Sequence, residues 1–351
     1  MTTLLPSQPT ANPRILNDTL PANPSITFVL CIEAGPLELQ CLWLVESLRR
    51  WGGRFAGADV VAVIPRLGPP LTPRIRKALH RLDVRIESIR PNHRQSWYAN
   101  LNKATALAWA EQNLESEVIA WLDSDIFVIG EPRALLPREN EEFTAMPAST
   151  CHDIGSTGEH SEKDPYWRTF CRVLGINHRD LPMIPSLDGE AGVQRMYWQG
   201  GVFAYRRSTN LGQKHLETFL RRIRTRIASR HAGIYFYDQT SLSLAVYLKD
   251  LRYRCLPQSH NFGINKLRAD EISHPSIPHA RILHYFGSLW PDFYQQLVDI
   301  LQPARPEVAE WLREKGPLHN PAGWSARAST RILKRYRSAK IETFKKNCSV
   351  Y

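Results

Sequence analysis

From residue 26 onward the chain alternates between two kinds of apolar spacing. Residues 26–32 form an apolar run interrupted only by Thr27. Apolar side chains at neighbouring positions suit a short strand covered on both faces. Leu37, Cys41, Leu44, Val45 and Leu48 then recur at helical spacing, and Gly52-Gly53 stops that helix. Residues 60–64 predict a second buried strand, closed by Pro65, and residues 84–89 a third. A helix from about Ser96 to Gln112 leads into another buried strand, 118–122, which ends at Asp123-Ser124-Asp125. Strands of this kind alternating with helices predict an α/β fold, a Rossmann-like, mostly parallel central sheet with helices on both faces.

After Asp125 the alternation loosens. Residues 143–148 and 196–206 read as strands. Between them lies a stretch rich in Gly, Pro, His and Asp, with Tyr166 and Trp167 in its middle. It is too long for a structureless loop and predicts short helices. Leu216, Phe219, Leu220, Ile223 and Ile227 form an apolar helical stripe. Arg221, Arg222, Arg224, Arg226 and Arg230 leave its other faces and read as a solvated basic surface. A further helix starts near Asp238, and residues 253–256 and 281–285 read as strands. There are no internal repeats. Residues 1–24, rich in proline and without a period, read as a flexible leader. Residues 25–300 read as one main domain, and 301–351 as a helical, basic tail.

Charge sharpens the picture of the tail. The chain of 351 residues carries a formal +11, and 43% apolar content is ample for a core. Residues 327–346 hold eight Lys or Arg against one acid, Glu342, so the rest of the chain is only weakly basic. A basic tail without interleaved RNA-stacking aromatics points to an anionic membrane surface rather than to nucleic acid. It reads as separable from whatever the body does. The six cysteines form no C-x-x-C pair, which argues against a zinc site or a disulfide framework and fits a reducing compartment. The start of the chain has no signal-peptide pattern, and no apolar run reaches the roughly 20 residues that span a bilayer. The expectation is a cytoplasmic protein, peripheral on the inner face of a membrane.

The candidate chemistry starts at Asp123 and Asp125. Open α/β sheets bind ligands beyond the carboxyl ends of their strands. Two carboxylates one residue apart repel each other and together suit a hard divalent cation. In a regular strand they would point to opposite faces, so a turn is expected at Ser124. The pattern is short, and a loop with two solvated aspartates is the bland alternative. An EF-hand loop fails because residues 126–129 are apolar where oxygen ligands belong. A phosphatase of the haloacid-dehalogenase kind also starts from an apolar strand and D-x-D. It then expects Thr or Val where this chain has Phe127. A non-catalytic basic scaffold is the third reading.

Later segments add order. Asn102-Lys103 precedes the D-x-D strand, and Trp198-Gln199-Gly200-Gly201, Tyr237-Asp238-Gln239, Leu256-Pro257 with Asn261, and His284-Tyr285-Phe286-Gly287 follow it. In this order the motifs resemble the glycogenin-like family of retaining GT-A glycosyltransferases, over roughly residues 26–290. The resemblance implies a GT-A-type single domain and a transferase moving sugar from a nucleotide diphosphate donor, a UDP-sugar, to an acceptor facing the 149–195 insertion. It implies Mn2+, or Mg2+, on Asp123, Asp125 and His284. It assigns donor binding to Lys103, Asp123, Ser124, Asp125, Gln199, Gly200, Gly201 and Gly287, and catalytic roles to Asp238 and Gln239. Two departures stand out. Gln199 takes the place of the family's Asn, and Ser288-Leu289-Trp290-Pro291 lacks the family's late Lys.

Overall fold

The computed structural model describes residues 25–91, 93–151, 153–188, 192–264 and 276–351. The expected leader lies outside them. The chain opens with β1 (Ile26–Cys31), α1 (Pro36–Trp51), β2 (Asp59–Ile64), α2 (Pro73–Arg81) and β3 (Val84–Ser88). It continues with α3 (Leu101–Asn113), β4 (Val118–Leu122), β5 (Ile126–Val128) and β6 (Phe143–Pro147). The insertion holds α4 (Asp164–Val173) and a hairpin of β7 (Met183–Pro185) and β8 (Val193–Arg195), and β9 (Trp198–Arg206) follows. Then come α5 (Leu211–Thr225), β10 (Ile227–Ala228), α6 (Tyr237–Leu248), β11 (Tyr253–Cys255), β12 (Phe262–Gly263) and β13 (Ile282–His284). Helices α7 (Pro291–Leu301), α8 (Pro306–Lys315) and α9 (Trp324–Lys346) lead to β14 (Ser349–Val350).

The central sheet has the order β11-β6-β9-β4-β1-β2-β3, and β9 alone runs against the others. The continuous apolar strands are explained by two cores. Phe28 and Leu30, Val60 and Ala62, and Val118, Ala120 and Leu122 face one apolar cluster with α1, α7 and α8. Their neighbours Val29, Val61, Val63, Ile119 and Trp121 face a second cluster with α3, α5 and α6. Alternate side chains point to opposite faces, so a sheet covered twice must be apolar at every position. Each large apolar side chain buried in this way stabilises by about 1.5–3 kcal/mol.

Parallel strands end on one edge. The turns after β1, β2, β4, β6 and β11 therefore gather on the same rim. The reversed β9 brings its first residues there, because Leu122 pairs with Val202. One edge thus collects chain from six strands.

Several expectations need correction. The helix expected from Ser96 begins at Leu101, after a run of turns. Ile227 is not part of the helical stripe: α5 ends at Thr225, Arg226 takes a left-handed turn at φ 52°, and Ile227 opens β10. The body does not stop at residue 300, because Val308, Ala309, Trp311, Leu312 and Leu318 belong to the first core. Helix α9 is basic as expected, and it packs along the body. Ala326, Thr330, Leu333, Arg337, Ile341 and Phe344 form a half-buried stripe against the body. Phe344 packs on Trp97 with centroids 5.2 Å apart, and β14 pairs with β10.

The solvated basic surface on α5 is also wrong at one position. Arg222 is 0% exposed. Its guanidinium lies 4.7 Å from the ring centre of Tyr166 and 4.2 Å from those of Phe170 and Tyr237. Its three nitrogens have no hydrogen-bond partner among the described residues. A desolvated cation–π contact contributes about 2 kcal/mol or more, while burying an unpaired ion costs several kcal/mol. The second effect is the larger. Arg222→Met, which keeps the volume, is expected to leave stability unchanged or raise it in urea melts. Arg222→Ala, which opens a cavity between the rings, is expected to lose about 2–4 kcal/mol. A large loss with Met would show that the charge itself holds the rings.

Candidate active site

A cleft of ≈ 930 Å³ opens on the collected edge. Asp123 follows the last residue of β4, and its amide donates to Gly201 O across the sheet at 2.8 Å. The expected turn occupies Ser124 and Asp125, which frees both carboxylates to face the cleft. Strand β5 then leaves the main sheet and pairs antiparallel with β13, with His284 opposite Ile126. Pairing beside Asp125 is what carries His284 to the site from so far along the chain. Tyr285 N also donates to Asp125 O at 3.1 Å.

One ligand atom from each of Asp123, Asp125 and His284 lies within 4.8 Å of the others. A cation at the usual 2–2.6 Å from its ligands tolerates such a separation, so the three side chains fit one divalent ion. His284 Nε2 stands 3.2 Å from Asp125 Oδ1. Its Nδ1 is 3.0 Å from Asn261 Oδ1, an oxygen that can only accept, so Nδ1 carries the proton. That bond leaves Nε2 for a metal, the arrangement in which an outer partner fixes the tautomer of a ligating imidazole. The ring stacks on Phe286 at 3.9 Å and 16°. Phe286 holds a left-handed backbone, φ 48°, which costs a non-glycine residue on the order of 1 kcal/mol.

Glycine at positions 200 and 201 of β9 makes room for the side chains of the cluster. A Cβ at Gly201 would sit 2.9 Å from His284 Cε1 and 3.0 Å from Nδ1. A Cβ at Gly200 would meet Lys103 Nζ at 3.0 Å and Gln239 Cγ at 3.1 Å. Gly201→Ala is expected to displace the imidazole and weaken metal binding by roughly 10–100-fold, the usual scale for disturbing a ligand's support. Calorimetric titration with Mn2+ tests it, and unchanged affinity would remove His284 from the ligand set.

Lys103 rises from the first turn of α3 into the middle of the cluster. Its Nζ is 3.2 Å from Asp123 Oδ1, 3.2 Å from Asp238 Oδ2 and 2.5 Å from Gly200 O. Burial lowers the lysine's pKa and the two carboxylates raise it, and the carboxylates win. Burial pushes the Asp123 carboxyl up, Lys103 only partly offsets it, and Asp125 adds to the rise. Burial acts on Asp125 in the same sense, but the charge and hydrogen bond of His284 outweigh it and hold that carboxyl low. His284 moves up, its desolvation overcome by Asp125. Trp121 Nε1 donates to Asp123 Oδ1 at 2.7 Å and completes that side.

Asp238 and Gln239 start α6 and line the cleft. Gln239 Oε1 is buried without a hydrogen-bond partner, an acceptor left for a ligand's donor. Gln199 reaches sideways to Asp153, Nε2 to Oδ2, at 2.9 Å. The structure thus gathers Lys103, Asp123, Ser124, Asp125, Gln199, Gly200, Gly201, Asp238, Gln239 and His284. Gly287 is the exception. It lies in the turn after His284, its carbonyl accepts from Trp290 N at 3.2 Å, and it is not among the residues that line the cleft.

Sequence reasoning missed four charged groups of the cleft: Glu33, Arg66, Asp153 and Asp188. Glu33 and Arg66 follow β1 and β2, and the strand-end rule that found Asp123 would have found them. Arg66 Nε and Nη2 bind the Glu33 carboxylate at 2.5 and 2.9 Å, and Asn102 Nδ2 adds a bond at 2.8 Å. From α9, Arg337 reaches the same corner, with Nη2 donating to Leu67 O at 2.5 Å. Asp153 and Asp188 lie in the aperiodic insertion, where no sequence signal marks them.

Residues 28–248 match the profile of the Rhodobacterales glycosyltransferase domain, and the chain belongs to that family. It is therefore a glycosyltransferase, and the phosphatase and scaffold readings have no support. No curated protein matches the chain. Among solved structures it is similar to the glycosyltransferase GlyE of Streptococcus pneumoniae TIGR4, with 14% identity over 86% of this chain and 67% of that chain, and a TM-score of 0.47. It is similar to the bifunctional glycosyltransferase WbbM at 13% identity over 86% of this chain, spanning about half of that one (53%), TM-score 0.44. Mouse xyloside xylosyltransferase 1 shares 13% identity over 74% of this chain and 97% of that chain, TM-score 0.42.

Proposed function

We propose that this member of the family transfers a sugar from a UDP-sugar to an acceptor in a metal-dependent reaction with a GT-A-type site, and with retention of configuration as the glycogenin-like motif order implies. The observation that carries the proposal is the convergence of Asp123, Asp125 and His284 beside a strand kept bare by Gly200 and Gly201. Asp123, Asp125 and His284 Nε2 would hold Mn2+ or Mg2+. When bound, such an ion supplies Lewis-acid neutralisation of a leaving diphosphate.

The chain's own residues do the rest. Lys103 adds a fixed positive charge at the cluster and keeps Asp123 and Asp238 from repelling each other. The bare backbone of Gly200 and Gly201 lets Lys103, Gln239 and His284 stand close to β9 beside the donor sugar. Asp238 and Gln239 offer acceptors for its hydroxyls. Gln199 stands nearby on β9, although its amide turns toward Asp153. Ser124 lines the cleft between the two aspartates, on the diphosphate side, and Gly287 lies in the turn behind it.

A contact with an anionic membrane is part of the reading. Among the described residues no helix is long and apolar enough to cross a membrane. The outward face of α9 shows Trp324, Ile332 and Tyr336 at 84, 69 and 58% exposure among basic residues. That mixture suits a helix lying in the interface of an inner membrane leaflet.

The test of the donor reading is thermal denaturation with nucleoside diphosphates. UDP with Mn2+ is expected to raise the melting temperature, and UDP with a chelator is not. Equal shifts with and without metal would reject metal-dependent donor binding.

A further inference from the structure

Among the described residues, each other carboxylate in the cleft is paired with a cationic side chain or, at Asp188, enclosed by four donors, and Asp153 is neither. Glu33 is held by Arg66, Asp123 and Asp238 by Lys103, and Asp125 by His284. Asp188 sits in a nest of donors: Ser149 Oγ at 2.8 Å, Thr150 N at 2.6 Å, Thr150 Oγ1 at 3.0 Å and Cys151 N at 2.9 Å. Burial works against its charge, but these donors hold it at about 2, and its task is to build the turn. Asp153 is different. Among the described residues its carboxylate has no cation bound to it.

Asp153 is nevertheless fixed. Oδ2 accepts from Ser149 N at 3.1 Å and from Gln199 Nε2 at 2.9 Å. Lys163 Nζ is spent on backbone, donating to Asp153 O at 2.8 Å and to Thr150 O. Asp153 lines the same cleft as Asp238, Gln239 and Asp125.

Several groups face Asp153. Asp188 follows β7, Lys163 stands next to α4, Asp238 on α6, and Tyr197 and Tyr235 near by. Burial is the largest influence and raises its pKa. The Ser149 amide and Lys163 lower it, and Asp188 and Asp238 raise it, to about 6 in all. A carboxylate of that strength is ionised at neutral pH and still basic enough to take a proton.

We propose that Asp153 is the base that accepts the acceptor's hydroxyl proton during sugar transfer, with Gln199 and the Ser149 amide orienting it. The inference rests on the transferase reading above. The acceptor O–H bond breaks and its proton passes to the Asp153 carboxylate. The acceptor oxygen forms a bond to the anomeric carbon, and the bond from that carbon to the diphosphate breaks. Its electron pair leaves with the nucleoside diphosphate, and the Asp153 proton then returns to solvent. For the retention proposed above, the acceptor oxygen attacks from the same face of the sugar that the diphosphate leaves.

Water is the acceptor available for the test. Hydrolysis of a panel of UDP-sugars with Mn2+ is followed as UDP release between pH 5 and 8.5, beside calorimetric UDP–Mn2+ binding. The wild type is expected to lose rate below about pH 6. Asp153→Asn is expected to slow hydrolysis by about 10²–10⁴-fold, to lose the acid limb, and to bind UDP–Mn2+ within about 3-fold of wild type. Gln199→Leu removes a donor from Oδ2, so the acid limb is expected to move to higher pH, which a merely structural role would not cause. An Asp153→Asn variant with the wild-type rate, one that keeps the acid limb, or a wild type with no acid limb overturns the proposal. A wild type that binds no UDP with Mn2+ overturns the transferase reading itself, and the role of Asp153 with it.

Discussion

Asp125→Asn is expected to lower metal-dependent donor turnover by at least about 10²–10³-fold, the scale for removing one main stabiliser of developing charge. Asp125 supplies one of the two charged ligands at the cluster, and its carboxylate is also what holds His284 in its raised state. An amide in its place gives only a neutral oxygen to the cation. Mn2+ affinity in the presence of UDP is expected to fall with turnover. His284→Ala removes a neutral ligand only and is expected to weaken affinity more gently, by about 10–100-fold. Titrating turnover against Mn2+ separates the two, because excess metal should restore the His284 variant and not the Asp125 variant. Full activity of Asp125→Asn at ordinary Mn2+ would remove the D-x-D pair from the mechanism.

Lys103→Met is expected to damage the fold as well as the site. The lysine side chain is 9% exposed and stands between two carboxylates. Taking away one partner of a buried ion cluster leaves uncompensated charge, which costs about 3–5 kcal/mol. Adding Asp238→Asn is expected to return more than about 1 kcal/mol, since the two positions are in contact and do not act additively. The pH dependence has a definite sign. Without Lys103 the Asp123 carboxyl, already pushed up by burial, rises further above its unfolded value. The penalty is then absent when both states are protonated and appears as pH rises through the folded pKa. The stability deficit in urea melts should be larger at pH 8 than at pH 5. A deficit that grows on acidification, or no deficit, would show that Lys103 does not hold the two acids together.

Much of the site was legible because strand ends follow from apolar runs. The run 118–122 fixed the place of Asp123 and Asp125, and the turn at Ser124 followed from strand geometry. His284, Lys103, Gly200, Gly201, Asp238 and Gln239 were reached through motif order, and the structure explains why that order matters. Each lies on an element whose end meets the same sheet edge. The reversal of β9 was not legible, since strand direction depends on connections that local spacing does not encode. Asp153 and Asp188 were invisible because no period surrounds them. Arg222 was misread because helical spacing separates faces but does not say what packs on each. Three aromatic rings from α4 and α6 cover that face, and they are remote in sequence. The packing of the tail was not legible for the same reason: Arg337 and Phe344 dock on Leu67 and Trp97, which are remote in sequence.

The central claim is that Asp123, Asp125 and His284 hold one divalent cation at the donor site. Anomalous diffraction at the manganese edge, from crystals grown with Mn2+ and UDP, tests it most directly. The account predicts a single strong peak within about 2–2.6 Å of a carboxylate oxygen of each aspartate and of His284 Nε2. A peak held by other side chains, or a His284 ring turned away from the ion, would contradict it.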